Sequence, residues 1–197
     1  MTTVVDLGPA ARQLAELVTN VPEGALDAPT PCPAYRLGDL LEHIGTLAVA
    51  FTAAATKETE GIGERRPTGD AANLADDWRD RIPRDLAGLA EAWRDPLAWT
   101  GRTLVGGASL PGEFAGVVAL DELVLHGWDL ARATGQPFDV EPASLRVVHG
   151  LVADFATPER AEQRAGLFGP VVEVPTEKPL LDQVLGLSGR NPHWSPN

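Results

Sequence analysis

The stretch "DELVLHGWDLARATG", Asp121 to Gly135, sets a glutamate, a histidine and an aspartate among leucines and valines. At about 100° of rotation per residue, Glu122, His126 and Asp129 fall on one narrow stripe, because positions i, i+4 and i+7 are neighbours on a helix face. The flanking Leu120, Leu123, Val124, Leu125, Trp128 and Leu130 are apolar nearly all the way round, which predicts a helix buried on most sides. A polar stripe in that setting must be paired or bind a metal. By itself the Glu122/His126 pair also fits an exposed or hydrogen-bonded couple. His43 strengthens the metal reading, since "DLLEHIGTLAVAF" is a second strongly apolar helix in which a solvated face is hard to find.

A set of two histidines and one glutamate leaves a coordination position open, the arrangement of a catalytic rather than a structural zinc. Nickel or iron would also accept these ligands. Asp129 and Asp39 each lie one turn from a proposed ligand histidine, and a metal-bound imidazole commonly donates its second N–H to a carboxylate. Asp39 fits equally well as a first-turn acid favoured by the helix dipole. Cys32, in "TPCPAY", has no partner at metal-ligand spacing and reads as a small buried hydrophobe rather than a nucleophile or fourth ligand. His149 and His193 lie outside the two metal-bearing helices and read as structural or exposed. Neither a phosphate loop, nor a dinucleotide fingerprint, nor a serine nucleophile elbow is present in the sequence.

The elements that must position these residues are mostly helical. Gly8-Pro9 opens a first helix with Leu14, Leu17 and Val18 on its apolar face, ending before Pro22. Three prolines in "DAPTPCPAYRLGD" enforce an extended loop. A second helix begins around Arg36 to Asp39 and carries Leu40, Leu41, Ile44, Leu47, Ala48 and Phe51. After the charged connection "KETEGIGERRPTGD", a third helix is predicted from about Ala71 to Arg94, bent at Pro83. The segment Leu97 to Pro111 reads as a short hairpin or an irregular crossover. The fourth helix runs from about Gly112 to Thr134 and stops at Gly135. A fifth starts near Pro142, a short strand is expected at Val171 to Val174, and a last helix near Pro179 to Leu187. Four long helices with at least one long crossover describe a mainly all-α four-helix bundle, with short C-terminal helices and a minor strand pair.

The 197 residues suffice for one domain, 1–197, with a short extension from about residue 140. A formal net charge of −12 argues against nucleic acid and anionic lipid as partners. The single cysteine precludes an intramolecular disulfide, and "MTTVVDLGPAARQ" lacks the basic flank and apolar core of a signal peptide, so the expected compartment is the cytoplasm. The apolar run Ile44 to Ala55 falls short of the roughly 20 residues that span a bilayer.

"TPCPAYRLGDLLEHIG" and "DELVLHGWDLARATG" resemble the DinB/YfiT-like metalloprotein superfamily, in its actinobacterial branch related to mycothiol-dependent maleylpyruvate isomerase. The tail "LFGPVVEVPTEKPLLDQVLGLSGRNPHW" is similar to the ending of a short subfamily in that group. The resemblance implies a four-helix bundle with a long crossover and a divalent metal, typically zinc or nickel, on His43, Glu122 and His126; with iron also admitted by the donor set, zinc is the first expectation. It also implies mycothiol as a possible co-substrate, a small-molecule substrate or thiol as partner, and a monomer or homodimer. Two departures stand out. The family more often has Trp where this chain has Tyr35, a change expected to alter packing more than chemistry. The isomerase also carries an additional C-terminal domain supplying an arginine, whereas about sixty residues follow the fourth helix here. Two functions follow: a metal-dependent enzyme that activates a low-molecular-weight thiol for conjugation, transfer or isomerisation of an electrophile, or a non-catalytic metal-binding or regulatory bundle.

Overall fold

A computed structural model describes residues 4–64 and 69–196; residues 65–68 of the charged connection lie outside the described residues. The helix α1 spans Gly8–Thr19, α2 Leu37–Thr56, α3 Trp78–Ala92 and α4 Gly112–Thr134. At the starts of α1 and α2 a backbone N–H finds a side-chain acceptor. Asp6 Oδ1 accepts the Gly8 N–H at 2.8 Å, and Asp39 Oδ2 accepts the Arg36 N–H at 3.0 Å. At its far end α4 closes on Gly135, whose φ of 69° is the left-handed conformation that glycine adopts without strain.

The four helices pack in the cyclic order α1, α3, α2, α4, with α1 returning to α4. Consecutive helices α1 and α2 therefore stand across a diagonal, as do α3 and α4, and the long segments 20–36 and 93–111 make those crossings. The expected crossover thus occurs twice. Leu14, Leu40, Leu41, Ile44, Phe51, Ile82, Leu86, Leu89 and Leu120 fill the interior. Two buried tryptophans satisfy their indole N–H groups on backbone carbonyls, Trp93 on Phe51 at 3.0 Å and Trp99 on Trp93 at 2.8 Å.

The second crossing contains an antiparallel hairpin, β1 Arg102–Val105 and β2 Ala108–Pro111. Its two-residue turn, Gly106-Gly107, has φ of 57° and 80°, the positive pair that twists a tight hairpin correctly. Beyond α4, α5 (Pro142–Phe155) packs on α4, a short α6 (Ala161–Arg164) follows, and α7 (Leu180–Leu187) packs on α5. Among the described residues no helix is long and apolar enough to cross a membrane.

Two expectations are corrected. The third helix begins at Trp78, not near Ala71: Asp70 caps a single 3-10 turn, Ala71–Asn73, by accepting the Ala72 N–H at 3.0 Å, and Leu74 then leaves in an extended conformation. From Trp78 the helix continues through Pro83. The segment Val171 to Val174 forms no strand: its Val172 N–H bonds Gly186 O of α7 rather than a neighbouring strand.

Candidate metal centre

Because α2 and α4 are neighbours in the ring, the histidine of one can meet the polar stripe of the other. His43 Nε2 lies 4.0 Å from Glu122 Oε2, and His126 Nε2 lies 3.0 Å from the same oxygen. One donor atom from each of the three residues falls within 4.8 Å of the others. Ligands about 2.1 Å from one ion in tetrahedral array stand about 3.4 Å apart, so the observed separations bracket what an ion requires. Two imidazole nitrogens and a carboxylate oxygen suit zinc and also nickel or iron. The histidines are buried, while the Glu122 side chain is partly exposed.

The second nitrogen of His126 is also engaged. Its Nδ1 stands 3.0 Å from Asp129 Oδ2, so the proton on Nδ1 donates to the carboxylate and Nε2 is left toward Glu122. Asp129 is fully buried and is itself held by Arg190, which donates from Nε to Oδ1 at 2.9 Å and from Nη2 to Oδ2 at 2.7 Å. The sequence placed Asp129 next to its histidine but left Arg190 unassigned. One signal was available: a carboxylate buried on such a helix needs a cation, and no Lys or Arg precedes it on its own helix.

These contacts set the charges. Burial pushes the Asp129 carboxyl up, but the charge of Arg190 and the bonds from His126 and Arg190 outweigh it and hold the group below the usual range. Burial likewise opposes ionisation of Glu122, and His126, with smaller help from His43 and Arg190, reverses it. In the absence of an ion, burial disfavours the His126 imidazolium, yet its two carboxylate partners push it up to about 9. The space between Glu122 and His126 therefore attracts positive charge, in the form of a proton or a metal cation.

Asp39 is corrected. Its Oδ2 accepts Arg36 N–H, and its Oδ1 accepts Ala71 N–H at 2.8 Å, so it caps α2 and anchors the 3-10 turn. The neighbour of His43 Nδ1 is instead Tyr35, whose Oη is 3.5 Å away and whose ring centroid is 4.9 Å from the imidazole. The substitution read as a packing change thus puts a hydroxyl beside a candidate ligand histidine.

Cys32 is not among the converging donors, although it lies within electrostatic reach of Asp129, Arg190 and Glu122. Burial first, then the charge of Asp129, raises its thiol above the ordinary value. His149 is half-buried on α5 and His193 is exposed in the tail. Asp121, unassigned from sequence, is buried beside the stripe, and its Oδ1 has no partner among the described residues. Burial and the neighbouring charge of Glu122 push its carboxyl well above the usual range.

Residues 7–131 match the family described as the mycothiol maleylpyruvate isomerase N-terminal domain. An uncharacterized protein found in two strains of Mycobacterium tuberculosis is 31% identical over 184 residues, covering 89% of this chain and 91% of that protein. Among solved structures, the mycothiol-dependent maleylpyruvate isomerase superposes with a TM-score of 0.66 at 17% identity, over 95% of this chain and 88% of that one. A variant of the same isomerase gives 0.65 at 16% identity, over 94% and 87%. At these identities the likeness bears on fold. Most of the isomerase's length thus has a structural counterpart in this chain.

Proposed function

The chain belongs to the mycothiol maleylpyruvate isomerase N-terminal domain family, and from that premise we propose that it is a divalent-metal-dependent enzyme that activates a low-molecular-weight thiol, mycothiol by kinship, for transfer to or isomerisation of a small electrophile. The observation that carries this reading is the convergence of His43, Glu122 and His126 from two helices, one donor atom each within 4.8 Å. Three ligands leave a position for an exogenous group. When bound, a divalent ion supplies the acidity that deprotonates a coordinated thiol at neutral pH.

The chain's own residues do the rest. Glu122 gives the centre an anionic ligand whose side chain is partly exposed. Asp129 keeps the His126 proton on Nδ1 and so keeps Nε2 available, and Arg190 fixes the Asp129 carboxylate by two hydrogen bonds. Zinc is the ion we favour, on the two-histidine, one-carboxylate donor set.

The test is elemental analysis of the purified protein followed by titration of the cobalt-loaded form with mycothiol and with simpler thiols. A thiolate-to-cobalt charge-transfer band that appears at neutral pH and saturates is the expected result. Stoichiometric cobalt with no spectral response to any thiol would favour the non-catalytic metal-binding alternative, and failure to bind an ion would overturn the reading.

A further inference from the structure

Tyr35 sits at the end of the proline-bound loop, immediately before α2, with its ring 4.9 Å from His43 and 6.5 Å from His126. Its Oη stands 3.5 Å from His43 Nδ1, within hydrogen-bonding reach at the long end. Burial pushes the phenol's ionisation above its ordinary range, and the nearby Gly69 backbone opposes that shift. Gly69 covers the ring closely: a Cβ there would lie 2.8 Å from Tyr35 Cε1 and collide with the Asp39 carbonyl.

The polarity of the contact with His43 follows from what a ligand histidine must do. If Nε2 offers its lone pair to an ion, the proton of the neutral ring is on Nδ1, and Nδ1 can only donate. The phenol oxygen is then the acceptor. We propose that Tyr35 is a positioning residue of the centre, its oxygen accepting the His43 Nδ1–H and so presenting Nε2 to Glu122 and His126. This rests on the metal reading above but concerns the ring of His43 itself.

The two histidines are thereby oriented by different acceptors. His126 leans on a carboxylate that Arg190 holds by two hydrogen bonds, and the Nδ1 of His43 faces a neutral phenol. A carboxylate makes its imidazole a stronger donor than a neutral phenol does. Trp at position 35 would not reproduce the contact, because an indole N–H donates and accepts nothing.

The experiment is nitrogen-15 NMR of the histidine side chains in the wild type, Tyr35→Phe and Tyr35→Trp, with zinc affinity measured by chelator competition. In the zinc-free wild type, neutral His43 is expected as the Nδ1–H tautomer. With zinc, protected N–H signals are expected from both His43 and His126. In either variant the His43 signal should exchange with solvent while that of His126 persists, and zinc affinity should fall about tenfold. Tyr35→Trp keeps the aromatic bulk, so it remains informative if Tyr35→Phe packs poorly. An Nε2–H tautomer in the wild type, or an unchanged His43 signal and unchanged affinity in both variants, overturns the proposal. A wild type that binds no zinc but shows the Nδ1–H tautomer, lost in the variants, would sink the metal reading and leave the role of Tyr35 intact.

Discussion

Arg190 and Asp129 are joined by two parallel hydrogen bonds, 2.9 and 2.7 Å long, across 61 residues of sequence. The pair fastens the C-terminal tail to α4 at the point where His126 is oriented. Asp129 is completely buried, so removing the guanidinium leaves its carboxylate without water and with His126 as its remaining charged partner. Arg190→Ala is expected to lose about 3 kcal/mol of stability in urea unfolding. Arg190→Lys, which cannot form the paired contact, should recover only part of that. A midpoint indistinguishable from wild type in both would show that the tail is held by other contacts.

Asp129→Asn keeps the volume but weakens the acceptor behind His126. Zinc affinity should drop between about 10-fold and 100-fold, with all three proposed ligands still in place. Asp39→Ala is the matching control. It removes an acceptor for the Arg36 and Ala71 N–H groups, so it should cost about 1 kcal/mol of stability and leave zinc affinity as it was. If Asp39→Ala weakened zinc as much as Asp129→Asn, the capping role assigned to Asp39 would be incomplete.

His126→Ala should weaken zinc binding more than His43→Ala, because the carboxylate behind His126 makes it the stronger donor. Glu122→Gln should also reduce affinity by an order of magnitude or more, since it withdraws the anionic ligand. Isothermal titration at limiting zinc ranks the three. Full occupancy in every single variant would dissolve the shared site.

Cys32→Ser is expected to bind zinc stoichiometrically, as the thiol lies outside the converging donors. Burial disfavours the thiolate, so the thiol ionises at a higher pH than an ordinary cysteine. Iodoacetamide should therefore alkylate Cys32 more slowly than free cysteine at pH 8, speed up as the pH rises beyond the ordinary thiol range, and match free cysteine once the chain is denatured. Fast alkylation of the folded protein at pH 7 would contradict that environment.

The ends of α1, α2 and α4 and the common face of Glu122, His126 and Asp129 were legible in the sequence, because helical periodicity, prolines and terminal glycines act over a few residues and leave their mark there. The start of α3 was misread because Asp70 and Asp39 capture backbone N–H groups ahead of it, a competition that periodicity does not record. A histidine on each of two apolar helices suggested that the helices meet; that α2 and α4 are neighbours in the ring depended on two diagonal crossings that no local pattern specifies. Arg190 and Tyr35 reach the centre from a tail and a loop, carried by chain reversals tens of residues long. Their positions follow from the burial of Asp129 and His43, which demand a cation and an acceptor, while only tertiary packing selects which cation and which acceptor arrive.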